Sequence, residues 1–248
     1  MFFRKGVRVN MVKLLPRLPG ENNNNYAYRA IKEGIISLEL QPGQLLSVSE
    51  LTEALKVSST PIKTALWKLQ QEHLVDVIPQ VGSYVARVNM ELVEEAAYMW
   101  FNIEKETLKS ACDVFPKDNL NQLKSNLHLQ ELLLDEKTVF LNQKEWLRKL
   151  HELDDQFHAI IFQAHNRNNT WKVISQMTSN YHRVINLTQS EHFFEHVIAG
   201  HKDILSIIEK KEIERVESVL RNHILKPIYD WKNEYVLQYQ AFDKVNCT

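Results

Sequence analysis

The sequence predicts a mainly α-helical protein: a small N-terminal unit of three helices and one hairpin, then an all-α antiparallel helical bundle. Three observations carry this reading. Only 6 Gly and 7 Pro occur in 248 residues, too few for a turn-rich all-β fold or a glycine-rich nucleotide-binding scaffold. Apolar residues recur at three- and four-residue spacing along most of the chain, and strand-like runs are confined to residues before Asn89. No glycine stands between Gly82 and Gly200. The hydrophobic share of 44% and the charged share of 25% are ordinary globular values and exclude wholesale disorder. No apolar run approaches the ~18 residues of a membrane span.

Residues 1–25 read as a basic, polar N-terminal tail. Arg4, Lys5, Arg8, Lys13 and Arg17 precede any acid, and Glu21 is followed by Asn22-Asn23-Asn24-Asn25. Such a segment either hangs free or touches phosphate. Met11 offers a second candidate start. From Tyr26, residues Tyr28, Ile31, Ile35 and Leu38 keep helical spacing, and Gln41-Pro42-Gly43 is the stop. A second helix opens at Ser49, with Leu51, Ala54 and Leu55 on its buried stripe. Lys56-Val57-Ser58 is a turn, and Ser58 or Ser59 can cap a third helix that carries Pro61 in its first turn. Ile62, Ala65, Leu66 and Leu69 form the apolar side of that helix. Two strand-like runs follow, Val75–Ile78 and Ser83–Val88, joined by Pro79-Gln80-Val81-Gly82. Three short helices and a hairpin, over residues 26–88, give a winged helix-turn-helix.

Residues 90–243 read as the helical bundle. Its amphipathic stretches span 90–113, 118–135, 138–165, 169–190, 193–210 and 212–240. Pro116 and Asn166–Asn169 break neighbours apart, and Pro227 should kink or interrupt the last helix. Charge is split between the parts. Residues 1–88 hold eleven Lys/Arg against seven Asp/Glu, net +4, and the remainder nineteen against twenty-four, net −5. That split suits a nucleic-acid contact at the N-terminal end only. Cys112 and Cys247 form no CxxC pair and no disulfide framework. The first residues lack the pattern of a secretory signal, so a cytoplasmic protein is expected.

Pro42–Leu51, Val57–Leu66 with Leu69, Leu74-Val75 and Gly82–Ala86 together resemble the GntR family of bacterial transcriptional regulators. The helical remainder looks like the FadR C-terminal (FCD) effector module of the metal-binding type. The resemblance implies a homodimer on a palindromic double-stranded operator, with the third helix in the major groove. Ser49, Ser58, Ser59, Thr60 and Lys63 would then stand near bases and phosphates, and the hairpin around Gly82 would press on the backbone or minor groove. Arginines are common in the family where this chain has Ser49, Ser59 and Lys63, so a different operator is expected. Lys56 replaces a frequent turn glycine.

Asp154-Asp155-Gln156-Phe157-His158 is similar to the family's metal-binding stretch. On a helix, Asp154 and His158 stack on one face, able to grip one ion. The resemblance adds His201 and His223, twenty-two residues apart. One carboxylate and three imidazoles suit a divalent ion such as zinc or nickel, with positions left for water or a ligand. His151, His165, His192 and His196 match no such position. Many relatives carry Arg-x-x-x-Glu in the first bundle helix, whereas this chain has Trp100 and Glu104. Trp100 either walls an effector pocket or packs in the core, and Arg183 is a second candidate for the effector. The expected function is a DNA-binding regulator, as a repressor, controlled by a small molecule such as an organic acid. Two alternatives stand beside it: a metal that merely staples the bundle, and a metal-dependent hydrolase.

Overall fold

The computed structural model describes residues 15–135, 143–188 and 191–232. Arg4, Lys5, Arg8, Met11, Lys13 and Cys247 lie outside these. The chain divides into two compact units, Met1–Asn89 and Met90–Thr248.

In the first unit α1 spans Asn23–Ile36, α2 Val48–Leu55 and α3 Ser59–Gln71, followed by β1 Val75–Ile78 and β2 Gly82–Val85. The asparagine run expected in the tail is instead the start of α1. Asn22 occupies the cap, and its side chain accepts from the Asn25 N–H at 2.9 Å. Asparagine suits this place because its short amide satisfies a donor that the first helical turn leaves unpaired. Residues just before the cap also pack: Arg29 grips Glu21 through two bonds of 2.8 Å, and the Tyr26 hydroxyl donates to Leu15 O. Two charge-assisted bonds hold the Glu21 carboxyl down to about 2.

Ser58 is the N-cap residue of α3, yet its side chain makes no capping bond. Ile62, Ala65, Leu66 and Leu69 are buried as the periodicity predicts, and α3 packs along α1. Ala54, expected on the buried stripe of α2, is exposed. Lys56 takes the left-handed conformation, φ 53°, at the turn where a glycine is frequent. Strands β1 and β2 pair antiparallel, Val75 opposite Val85 and Ile78 opposite Gly82. The segment that follows the Gln41-Pro42-Gly43 stop also bonds to β2, through Gly43 N–H to Val85 O and Leu46 N–H to Ser83 O.

Among its described residues the second unit consists of helices joined by short turns, with no strand. Its elements are α4 Met90–Asp113, α5 Lys117–Asp135, α6 Gln143–Ala164, α7 Asn168–Met177, α8 Ser179–Thr188 and α9 Glu191–Lys210. A 3₁₀ turn Ile213–Arg215, α10 Val216–Leu220, a wide turn Arg221–Leu225 and helix 226–232 complete them. The stretch read as one helix over 169–190 breaks at Thr178. There the Thr178 and Ser179 hydroxyls donate to Ser175 O and Gln176 O, offering the backbone carbonyls an alternative to helical partners. No helix among the described residues is long and apolar enough to cross a membrane.

Candidate functional site

Asp154 and His158 project from α6, His201 from α9 and His223 from the wide turn after α10. The structure brings these four together, each offering a ligand atom within 4.8 Å of every other. His158 Nε2 lies 3.3 Å from His201 Nε2 and 3.2 Å from His223 Nε2, and Asp154 Oδ1 lies 3.3 Å from His201 Nε2. With metal–nitrogen bonds of about 2.0–2.1 Å, neighbouring ligand atoms stand about 2.8–3.0 Å apart in an octahedral shell and about 3.3–3.4 Å apart in a tetrahedral one. The donor set fits a borderline divalent ion.

Bonds outside the cluster decide which nitrogens are bare. The Leu153 carbonyl can only accept, so Asn126 turns its amide N–H toward it, at 3.1 Å. Asn126 Oδ1 then accepts from Gln130 Nε2 at 2.7 Å, which leaves Gln130 Oε1 facing His201 Nδ1 at 2.8 Å. An oxygen there requires Nδ1–H, so His201 Nε2 is a lone pair. His158 repeats the logic with a carboxylate: its Nδ1 donates to Glu104 Oε1 at 2.7 Å. The Trp100 indole N–H donates to the other oxygen, Oε2. Two bare Nε2 atoms 3.3 Å apart cannot bond each other. A cation, either a metal ion or a proton, has to stand among them.

Burial draws His201 and His223 toward the neutral form, His223 well below the ordinary histidine range, with neighbouring imidazoles adding to the effect. In His158 burial is outweighed by Glu104 and Asp154, and its pKa rises. Asp154 is driven far below the carboxylate range: burial opposes this, but the bond to His201 and the surrounding imidazoles prevail.

Two residues shape the place of His223. Proline has no N–H, and its ring clashes with the carbonyl four residues back, which for Pro227 is that of His223. The backbone widens before it, Lys226 N–H bonding Arg221 O, five residues away. On the facing helix a β-carbon added to Gly200 would stand 2.3 Å from His223 Nδ1. The ring therefore occupies space that only glycine leaves.

Beside the cluster is a narrow cavity whose side chains leave a centre about one water wide. Trp100, Tyr181, Phe194, Leu150 and Ile185 line it with Asp154, His151 and His223, and no lysine or arginine is in the lining among the described residues. Trp100 is both core and wall: 2% exposed, it lines the cavity and meets the His158 ring edge-on at 4.9 Å. Arg183 is not brought to this cavity; it is buried and donates to Asn180 Oδ1 at 2.9 Å. His151 is satisfied by Asn186 and His182, at 3.0 and 3.1 Å, and His196 by Asn222 O.

In the first unit Ser49, at the start of α2, Ser58, at the N-cap of α3, and Ser59, Thr60 and Lys63, on α3, are all exposed. Ser49 Oγ bonds Ser47 Oγ at 2.8 Å. Gly82, at the hairpin, has φ 154°, and a β-carbon there would meet Leu45 at 2.9 Å.

Residues 24–85 match the family model described as bacterial regulatory proteins, gntR family, and residues 99–226 match the FCD domain. The chain is 27% identical over 212 residues to the HTH-type transcriptional repressor RspR of Escherichia coli K12, covering 83% of this chain and 87% of that protein. It is 26% identical to an HTH-type transcriptional regulator in unstable DNA locus of Streptomyces ambofaciens, covering 85% of each. Among solved structures, McbR/YncC of E. coli superposes with a TM-score of 0.69 at 17% identity, over 87% of this chain and 99% of that one. A GntR transcriptional regulator from Rhodococcus sp. RHA1 superposes with a TM-score of 0.66 at 18% identity, over 85% and 97%. These likenesses show the fold.

Proposed function

Since the chain belongs to the gntR family of bacterial regulatory proteins and carries an FCD domain, we propose that this DNA-binding transcriptional regulator is a repressor released by a small organic acid. As a homodimer it grips a palindromic operator, with α3 of each protomer in the major groove and Ser49, Ser58, Ser59, Thr60 and Lys63 at bases and phosphates. The hairpin at Gly82 rests on the adjoining backbone. Asp154, His158, His201 and His223 hold one divalent ion, zinc or nickel.

The observation that carries this reading is the convergence of three Nε2 atoms and Asp154 Oδ1, with the outer nitrogens of His158 and His201 already committed. A bound ion supplies Lewis acidity for an effector carboxylate or hydroxyl. Glu104 and Gln130 orient the imidazoles, and Asp154, the least buried ligand with a side chain 16% exposed, faces the cavity. A centre one water wide admits an acid only if wall side chains swing aside. That coupling lets the effector favour one arrangement of the bundle over another.

The test is metal content and DNA release in one preparation. One divalent ion per chain is expected, removed by chelator with a fall in Tm. Addition of metal-chelating acids should then loosen DNA from the loaded protein only. The burial of all three imidazoles favours a second reading, in which the ion only staples the bundle. Chelator would then lower Tm, while no acid changes DNA affinity. The hydrolase alternative finds no support in the family or in the relatives, which are transcriptional regulators.

The cavity wall sets which acid. Trp100 spends its N–H on Glu104 and turns apolar surface to the cavity, so a lone carboxylate with an apolar remainder fits better than a dicarboxylate. A charge-assisted bond is worth about 1.5–3 kcal/mol. Trp100→Arg should accordingly improve dicarboxylate binding by about ten- to hundredfold, read by titration calorimetry. A folded, metal-loaded variant that still ignores every dicarboxylate would show that position 100 does not meet the ligand.

A further inference from the structure

The chain has 5 Trp, and four of them are buried: Trp100, Trp146, Trp171 and Trp231 are 2, 2, 7 and 5% exposed. The fifth, Trp67, is 60% exposed on α3. It follows Lys63 by four residues and Thr60 by seven, so all three share one face of the helix. From Ser58 to Gln71 there is no Asp or Glu. Lys68, the other cation of α3, leans toward α1, its Nζ 5.7 Å from the centre of the Tyr28 ring. The outer face therefore presents hydroxyls, the Lys63 ammonium and one large apolar plane, in that order along the axis.

We propose that Trp67 is a DNA-contacting residue whose indole lies against the apolar edge of the major groove, a thymine methyl or the adjoining deoxyribose. An α-helix fits that groove, and its floor carries one apolar group, the thymine C5-methyl. Four residues of helix separate Lys63 from Trp67 by about 6 Å, which is less than two base-pair steps. An acid-free face carrying Lys63 favours a polyanion over a second copy of a net-acidic chain. Trp67 thus adds an apolar contact next to an electrostatic one, at a place where serines and a lysine give little bidentate readout.

The test uses the full chain and the duplexes that it selects from a random pool. In the free protein Trp67 should account for the acrylamide-quenchable fluorescence, and the selected duplex should abolish that quenching. Trp67→Ala should weaken binding by about tenfold, with Trp67→Phe closer to wild type and Tm unchanged in both. The dependence on salt separates this contact from phosphate binding: Trp67→Ala leaves the slope of log K against log salt unchanged, whereas Lys63→Ala lowers it by about one. A thymine whose exchange for deoxyuridine weakens wild type but not Trp67→Ala identifies the methyl as the contact, and tolerance at every thymine identifies the sugar. Quenching and affinity both unaffected, or a change confined to the oligomeric state, overturns the proposal and leaves DNA binding intact. A wild-type chain that selects no duplex overturns the DNA-binding premise, and the proposal with it.

Discussion

Gly200→Ala should empty the proposed metal centre without removing a single one of its four candidate ligands. The new methyl would sit 2.3 Å from His223 Nδ1 and 3.0 Å from its Cγ. Those are ring atoms attached to a backbone already widened before Pro227, not the end of a flexible chain that can swing away. His223 has to leave its place, and three donors remain where four stood. Metal affinity should fall by about a hundredfold or more, as for loss of a ligand. Alanine in a helix interior is otherwise favoured over glycine by about 1 kcal/mol. Displacing a buried ring costs about 1–3 kcal/mol, which outweighs that gain, so chelator-treated Gly200→Ala should melt below chelator-treated wild type, while added zinc or nickel should raise Tm in wild type alone. Paired thermal melts and metal analysis read both. Full metal occupancy in Gly200→Ala would mean that His223 has another way to reach the ion, or none to play.

The meeting of Asp154, His158, His201 and His223 was expected from the sequence, the last two through the family resemblance, and the parts that aim them were not. Asp154 and His158 sit four apart on an amphipathic stretch, a local pattern that any helix converts into one face. Their outer partners lie far away in sequence: Glu104 stands 54 residues before His158 and Gln130 71 before His201. Nothing local marks a glutamine on α5 as the residue that fixes a tautomer. Gly200 left a faint signal, a single glycine in a helical stretch after none since Gly82, and such a residue in a helix usually has a packing reason. Pro227 told more, since a missing N–H predicts irregular backbone just before it. Trp100 posed core against pocket as a choice, yet a side chain at the edge of a cavity next to the core does both. At the N-terminus, Asn22 to Asn25 looked loose by composition, although asparagine is among the best helix caps. Composition is blind to which residue closes a helix end.

Glu104→Gln should separate the aiming of His158 from its charge. The amide keeps the shape and can still accept from Nδ1–H, but it removes the anion that, with Asp154, raises the His158 pKa against the pull of burial. In metal-free protein a raised histidine contributes stability that is present below its unfolded pKa, about 6.5, and is lost as pH rises through the folded value. His201 and His223 are lowered, so their contribution has the opposite sign and is lost as pH falls. Glu104→Gln should therefore destabilise the chelator-treated protein at pH below about 6, and the effect should fade as pH rises through the raised His158 value. Metal binding should weaken as well, by about ten- to hundredfold, because a carboxylate bonded to the far nitrogen raises the basicity of the imidazole. That loss should shrink toward acid pH, where the proton held by wild-type His158 already competes with the ion. Melting curves across pH and metal titrations at two pH values test both halves. Equal losses at every pH would assign Glu104 a packing role only, and would detach the charge of this buried carboxylate from the chemistry of the centre.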